Sequence, residues 1–464
     1  MILKTRNENT YLLSAIDKPI LFMPPEFAES LSNDKNSYYK KKRLFLEEHG
    51  FLFGSKEYET KTTFQTSISK ELVKSFFSNC VTIAFEVTED CNLHCDYCIY
   101  GENYKNRGGR ASKNMDFLDA QATIDFVLNL KKTEKNVLNT DIYINFYGGE
   151  PLLNIKLIKN IVDYCEQIKQ IRHNLNFIFS ITTNGLLIDK YIDFLERFDF
   201  QILISLDGNR KNNQYRKFKD QTESFDFLIK NIKFVQKNHL AFFKKNIRFN
   251  TVLHDKNSYS EILSFFKENN LKKPGYTLVN SNINNDKFRP KARLSPEEIL
   301  QQNGESAFVE IGTAYTQFFD LSFNHFSTYR SLTSKKTLNR EFPTGTCLPA
   351  TKKIFITAQG KIFPCETIEH TYPLGSVENG IVNISFEYIA QLYSDLFKKI
   401  NQQCAVCDLR EFCAECVFLD LIGDPEKLRC SKRKKLHEGI EEKLSFLEKN
   451  PEINNKIWKK YYYV

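Results

Sequence analysis

The sequence predicts an α/β chain: a partial barrel of six βα units between a small N-terminal unit and a cysteine-rich C-terminal unit. Three observations lead there. Extended apolar runs recur at 81–87 (VTIAFEV), 141–147 (DIYINFY), 177–183 (FIFSITT), 201–207 (QILISLD), 246–253 (NIRFNTVL) and 275–280 (GYTLVN), with helical patterns such as DFLDAQATIDFVLNLKK and SYSEILSFFKENN in the gaps. Chemically unusual turns follow the first four runs: cysteines, then GGEP, then TNG, then DG. Parallel α/β sheets bind ligands at the carboxyl ends of their strands, so four such turns on one rim predict a single site. Finally, the 12 cysteines are clustered, three within 91–98 and seven within 347–430.

Bulk properties narrow the class. A chain of 464 residues exceeds one ordinary core, so two or three domains are expected. Hydrophobic content of 41% and charged content of 26% describe a globular protein. No apolar run is long enough for a membrane helix, and the N-terminus lacks a secretory h-region, so the expected location is the cytoplasm. The net charge of +8 is spread over helix-like segments. That reads as a solvated surface with at most a weak attraction for acidic partners, and not as a nucleic-acid footprint. Clustered cysteines in a reducing compartment point to metal rather than to disulfides.

Taken in order, residues 1–76 read as a separate small unit. YLLSAIDKPILFM forms a hairpin turning at Asp17-Lys18-Pro19, and NSYYKKKRLFLEEHG forms a helix stopped by Gly50. FLFGS then resumes an extended run, which makes the whole winged-helix-like. The barrel occupies 77–285. Residues 286–345 form a bridge with a helix start at Ser295-Pro296, an N-cap followed by a proline at N1. Residues 346–435 have little apolar core of their own and need staples. Residues 436–464 form a terminal helix and tail. Cys165 shares a helical face with Ile158, Ile161, Val162 and Ile168, so it belongs to the core. Cys80 precedes the first strand, at the sheet end away from the site, and reads as an ordinary thiol. His49, at a helix C-terminus, reads as a cap.

The first cysteine group has the spacing C-x3-C-x2-C: Cys91, Cys95 and Cys98. A closed zinc site needs four ligands, and no second pair follows nearby. A [4Fe–4S] cube takes one thiolate per iron, so three thiolates leave one iron open. With Tyr97 before the last cysteine and YGGEP at 147–151, the arrangement resembles the radical S-adenosylmethionine (SAM) superfamily. The resemblance implies a partial (β/α)6 TIM-like radical SAM barrel. It implies a cluster on Cys91, Cys95 and Cys98, with S-adenosyl-L-methionine chelating the open iron. Tyr97 would belong to the cofactor site, and Gly148, Gly149, Glu150 and Pro151 would line the methionine moiety, with the two glycines letting the backbone approach it and Glu150 accepting its ammonium group. Ser205 and Arg216 would hold its carboxylate, Thr183 and Asn184 would lie near the ribose, and Asp207 would shape a turn.

The second group has the pattern C-x12-G-x4-C (Cys347, Gly360, Cys365), with Gly360 in a hairpin turn, then a gap, C-x2-C-x5-C-x2-C (Cys404, Cys407, Cys413, Cys416), and then Cys430. This resembles the SPASM domain, with one interval a residue shorter than that family's. The resemblance implies two auxiliary [4Fe–4S] clusters, one on Cys347, Cys365 and Cys416 and one on Cys404, Cys407, Cys413 and Cys430. The first would again have three ligands and an open iron, where a substrate thiolate could bind. The alternative is a structural zinc knuckle.

Together these features resemble radical SAM/SPASM peptide maturases with an N-terminal leader-peptide recognition element. The implied activity is radical modification of a ribosomally made precursor peptide, with thioether formation first. Carbon–carbon or carbon–oxygen crosslinking, and formylglycine formation by an anaerobic sulfatase-maturating enzyme, are the alternatives. The implied partners are a leader-bearing peptide and a reductant such as flavodoxin or ferredoxin. An iron–sulfur electron carrier without catalysis would leave GGEP and Arg216 without a purpose.

Overall fold

The computed structural model describes residues 2–12, 21–30, 37–48, 64–101, 103–104, 112–133, 141–257, 259–279, 297, 300, 342–368, 370–405, 416–420 and 432–453. The predicted turn at Asp17-Lys18-Pro19, His49, Gly50, the FLFGS run and Ser295-Pro296 lie outside them. So do Cys407, Cys413 and Cys430. The chain divides into two compact units. One comprises Met1–Ser67, Leu294–Thr346 and Tyr393–Val464; the other comprises Ile68–Arg293 and Cys347–Leu392.

The second unit holds the repeat expected from the sequence. Strands β4 (Thr82–Thr88), β5 (Asp141–Gly148), β6 (Asn176–Thr183), β7 (Gln201–Ser205), β8 (Ile247–Leu253) and β9 (Gly275–Leu278) pair in that order. All five pairings are parallel. Helices fill the crossovers, as parallel pairing requires. β4 is buried at six of its seven positions and so lacks the alternation of a half-exposed strand. β5 and β6 alternate buried and half-buried residues along most of their length. The helix Ile155–Ile171 turns Leu157, Ile158, Ile161, Val162 and Cys165 into the core. Cys165 is thus a core thiol, and Ile168 is only half-buried. Phe200 is stacked by Phe146 and Phe179, which fills the space beneath the sheet.

The cysteine hairpin does not stand as a separate layer. β10 (Ile354–Ile356) pairs parallel with β4, matching Ile354 to Ile83 and Ile356 to Phe85. β11 (Lys361–Phe363), β12 (Gly375–Glu378) and β13 (Ile381–Ile384) follow antiparallel, giving a sheet of ten strands among the described residues. The segment, expected to have little apolar core of its own, draws on that of its neighbour. Ile354, Phe355 and Ile356 are wholly buried because they share the core of the parallel strands. The buried carboxylate of Glu86 on β4 accepts from Ala358 N (2.9 Å) beside the turn that holds Gly360.

The first unit contains an antiparallel sheet of β1 (Ile2–Lys4), β2 (Thr10–Leu12) and β3 (Leu21–Met23), with helices Pro25–Ser30 and Ser37–Glu48. The β1–β2 turn is tied to the helix Lys432–Lys449. Thr5 Oγ1 donates to both oxygens of Glu448 (3.1 and 3.0 Å), and Asn7 Nδ2 donates to Glu448 Oε2 (2.6 Å) and Ser445 O (3.1 Å). Arg6 N donates to Ser445 Oγ (3.0 Å). Among the described residues no helix is long and apolar enough to cross a membrane.

Candidate functional site

The site grows from the head of β4. After Thr88 the chain is pinned by Glu89. Its Oε2 accepts from Lys113 N (3.1 Å) and its Oε1 from Gln359 Nε2 (2.8 Å). Cys91, Cys95 and Cys98 follow in a tight loop closed by Cys98 N to Cys95 O (3.1 Å) and Gly101 N to Cys98 O (2.8 Å). The loop runs beside the segment that carries Arg216. His94 N donates to Lys217 O (2.7 Å) and Asp96 N to Tyr215 O (3.1 Å). Tyr97, Tyr104, Tyr215 and Val279 form a buried wall, against which Cys95, Ile99 and Val252 pack.

None of the three is in a disulfide, and Cys95 lies within electrostatic reach of both Cys98 and Cys91. Burial pushes the Cys95 thiol well up; Arg216 opposes this, and Cys98 and Cys91 add to it. Among the described residues no three His, Cys, Asp or Glu side chains are arranged to hold one metal ion. A cube makes a different demand, one thiolate on each of three irons. Three cysteines on one tight loop, with Cys95 between the other two and packed against the aromatic wall, fit that demand.

GGEP lies directly against this loop. Gly149 N donates to Thr88 O (2.8 Å) and Glu150 N to Asp90 O (2.7 Å). A Cβ on Gly148, whose φ is +142°, would sit 2.3 Å from Thr88 O, and one on Gly149 would sit 2.2 Å from Asp90 O. The glycines were expected to admit a ligand. The close approach they make here is to the polypeptide that leads into the cysteine loop.

Glu150 is wholly buried. Its Oε1 accepts from Leu152 N (3.1 Å) and Thr183 Oγ1 (2.8 Å), and its Oε2 from Asn184 N (2.8 Å). Burial pushes its carboxyl up to about 7, against the pull of these three donors. Pro151 begins the short 3-10 turn Pro151–Asn154. Asn184 Nδ2 reaches Asn92 Oδ1 (2.7 Å) and Cys91 Sγ (3.8 Å). Thr183 and Asn184 therefore brace Glu150 and the cysteine loop. Ser205 closes β7, half-buried.

Arg216 is buried and paired. Its Nε donates to Asp207 Oδ2 (3.0 Å) and its Nη2 to Asp207 Oδ1 (3.2 Å). Asp207 also accepts from the Tyr97 phenol and from Val252 N (2.8 Å). A turn-shaping role does not describe a carboxylate with four donors. The cue in the sequence was a carboxylate at a strand head nine residues before an arginine. His254, buried at the end of β8 and stacked on Tyr97 with ring centroids 5.7 Å apart, carried no such cue.

The second cysteine group is partly placed. Cys347 precedes β10 and Cys365 follows β11, with Thr367 Oγ1 2.9 Å from the Cys365 sulfur. Burial pushes the Cys365 thiol up. In the other unit, Cys404 lies near the end of the helix Phe386–Ala405, and Cys416 precedes the short helix Val417–Asp420.

Comparison with known proteins bears on this geometry. Residues 85–268 match the model of the radical SAM superfamily. An uncharacterized protein of Methanocaldococcus jannaschii is 39% identical over 139 residues, covering 30% of this chain and 42% of that protein. The radical SAM cyclopropyl synthase TigE of Paramaledivibacter caminithermalis is 23% identical over 292 residues, covering 61% and 57%. The chain thus spans about half the length of these two relatives. A cysteine-type anaerobic sulfatase-maturating enzyme of Clostridium novyi is 22% identical over 341 residues, covering 70% and 84%. Among solved structures, native anSMEcpe with bound AdoMet aligns with a TM-score of 0.56 at 19% identity, over 81% of this chain and 98% of that one. The same enzyme with AdoMet and Cp18Cys peptide aligns at 0.53 and 18%, with the same coverage. At these identities the structures attest the fold. The parallel sheet, the cysteine loop at its first strand head and the match over 85–268 agree that the chain carries a radical SAM domain.

Proposed function

We propose that this protein is a radical SAM enzyme that modifies a ribosomally synthesised precursor peptide, forming a thioether between a cysteine sulfur and a carbon of the peptide. The observation that carries the enzymatic reading is the buried carboxylate of Glu150, hydrogen-bonded to Asn184, which in turn touches Cys91. An ammonium acceptor thus lies one residue from a three-thiol loop. When bound, a [4Fe–4S] cluster with S-adenosyl-L-methionine supplies one-electron cleavage of the sulfonium, yielding a 5′-deoxyadenosyl radical.

Each residue then has a task. Cys91, Cys95 and Cys98 hold the cluster. Glu150 takes the methionine ammonium as a charge-assisted acceptor. Arg216 and Ser205 take the carboxylate. The aromatic wall of Tyr97, Tyr104 and Tyr215 keeps water from the reacting centre. Cys347, Cys365 and Cys416, and Cys404, Cys407, Cys413 and Cys430, would hold two auxiliary clusters. A flavodoxin or ferredoxin would supply the electron.

Two observations support a peptide substrate. The fold is that of an enzyme solved with a peptide bound, and the N-terminal antiparallel sheet is of the kind that captures an extended leader by strand addition. Formylglycine formation on a sulfatase is the second reading, favoured by the alignment over nearly the whole of anSMEcpe.

The test has two stages. Anaerobically reduced protein with S-adenosylmethionine releases 5′-deoxyadenosine and carries about 12 iron atoms per chain for three cubes. No release under reducing conditions removes the enzymatic reading. Co-expression with a cysteine-bearing precursor encoded nearby then gives a peptide lighter by two hydrogens per crosslink. A product in which a cysteine has become formylglycine favours the second reading.

A further inference from the structure

Asp207 is fully buried at the head of β7, and its carboxylate gathers donors from three parts of the site. The Tyr97 phenol comes from the cysteine loop, Arg216 Nε and Nη2 from the segment after β7, and Val252 N from β8. Asp207 N donates to Asn213 Oδ1 (3.2 Å), which fixes the backbone that presents the carboxylate.

The Tyr97 ring is enclosed as well. Arg216 Cζ lies 5.4 Å from its centroid, Tyr215 meets it edge-on at 6.2 Å, and His254 stacks on it. His254 is itself locked. Lys256 N donates to its Nδ1 (3.1 Å), so the proton sits on Nε2, which donates to Asn212 O (3.0 Å). A neutral imidazole of fixed orientation therefore backs the ring.

With Nε and Nη2 both bonded to Asp207, Arg216 retains Nη1 as the arm it can offer to a ligand. We propose that Asp207 is a positioning residue for cofactor capture: one carboxylate fixes both the cysteine loop, through Tyr97, and Arg216, so that Nη1 is held ready for the carboxylate of S-adenosylmethionine. The assignment rests on the radical SAM reading above and adds to it a group that touches neither cofactor nor cluster. It also gives the Tyr97 hydroxyl a task. Phenylalanine would keep the ring packing and lose the tie.

Asp207→Asn is nearly isosteric and tests the claim in the full-length, cluster-loaded protein. Its far-UV circular dichroism and iron content should equal wild type. Its affinity for S-adenosylmethionine, from calorimetry and from the cofactor-induced change in the electron paramagnetic resonance spectrum of the reduced cluster, should fall about tenfold or more, the scale of one charge-assisted hydrogen bond. In an Arg216→Ala background the same substitution should add little, because both act through one guanidinium. Wild-type affinity in D207N, or losses that multiply in the double variant, would overturn the proposal. If D207N fails to fold, Tyr97→Phe removes one tie without stranding a buried charge. Retained iron with weakened cofactor affinity is expected, and unchanged affinity would again overturn it. A wild-type spectrum that does not respond to S-adenosylmethionine would instead sink the radical SAM reading itself.

Discussion

Glu150 is held by three donors from its own chain, yet burial still leaves its carboxyl near neutrality, at about 7. The sign follows. Below about 7 the ligand-free carboxyl is protonated and offers an arriving ammonium no charge. S-adenosylmethionine affinity should therefore drop towards tenfold per pH unit below about 7 and level off above it. Calorimetry at pH 6 and 8 checks this, and equal affinities would refute it. The folded-state value lies above the ordinary one, so the ligand-free protein should also lose stability as pH rises from about 4.5 to 7, by about 3 kcal/mol. Cys165 is the contrasting case. Its helical spacing made it readable as core, and it is fully buried. Cys165→Ala should cost about 1–2 kcal/mol in urea unfolding and leave the iron content unchanged, whereas Cys91→Ala should lose about four irons per chain. What could not be read at this scale was partnership. Arg216 and Glu150 stand out by their motifs, but their bonds to Asp207, Thr183 and Asn184 depend on strand heads brought together by folding.

At the level of elements, the six parallel strands were legible because each is an apolar run bounded by turn residues, and the observed ends differ from the expected ones by at most two residues. The hairpin Ile354–Phe363 was legible as a hairpin from Gly360. Its parallel union with β4 was not, since two three-residue strands carry no signal of a partner so far away in sequence. The GGEP turn shows how an element's position can hang on one missing methyl. Gly149→Ala would drive a Cβ to within 2.2 Å of Asp90 O and force the turn off the cysteine loop. We expect a loss of at least about 2 kcal/mol in stability and a failure to retain the loop's cluster, measured by urea unfolding and iron content. A variant that kept both would show that the turn and the loop tolerate separation.

On the scale of the whole molecule, the first unit is built from both termini. Glu448 takes hydrogen bonds from Thr5 and Asn7, about 440 residues away in sequence. Neither terminal segment announced this, because the ties are polar contacts at a turn and not an apolar pattern. Glu448→Ala should raise hydrogen exchange in β1 and β2 and cost about 1–3 kcal/mol, while leaving 5′-deoxyadenosine release intact. Unchanged exchange would show that the ties contribute nothing. The pairing of β10 with β4 has a further consequence, one of time. Ile83 and Ile354 are about 270 residues apart, so a ribosome adding about 5–20 residues per second leaves that side of β4 without its partner for about 10–60 s. For that interval a buried, apolar strand presents an unpaired edge, the template on which nascent chains aggregate. A chain cut short before Ile354 should be insoluble, and yield of the full chain should respond to whatever holds the nascent strand until its last neighbour is made.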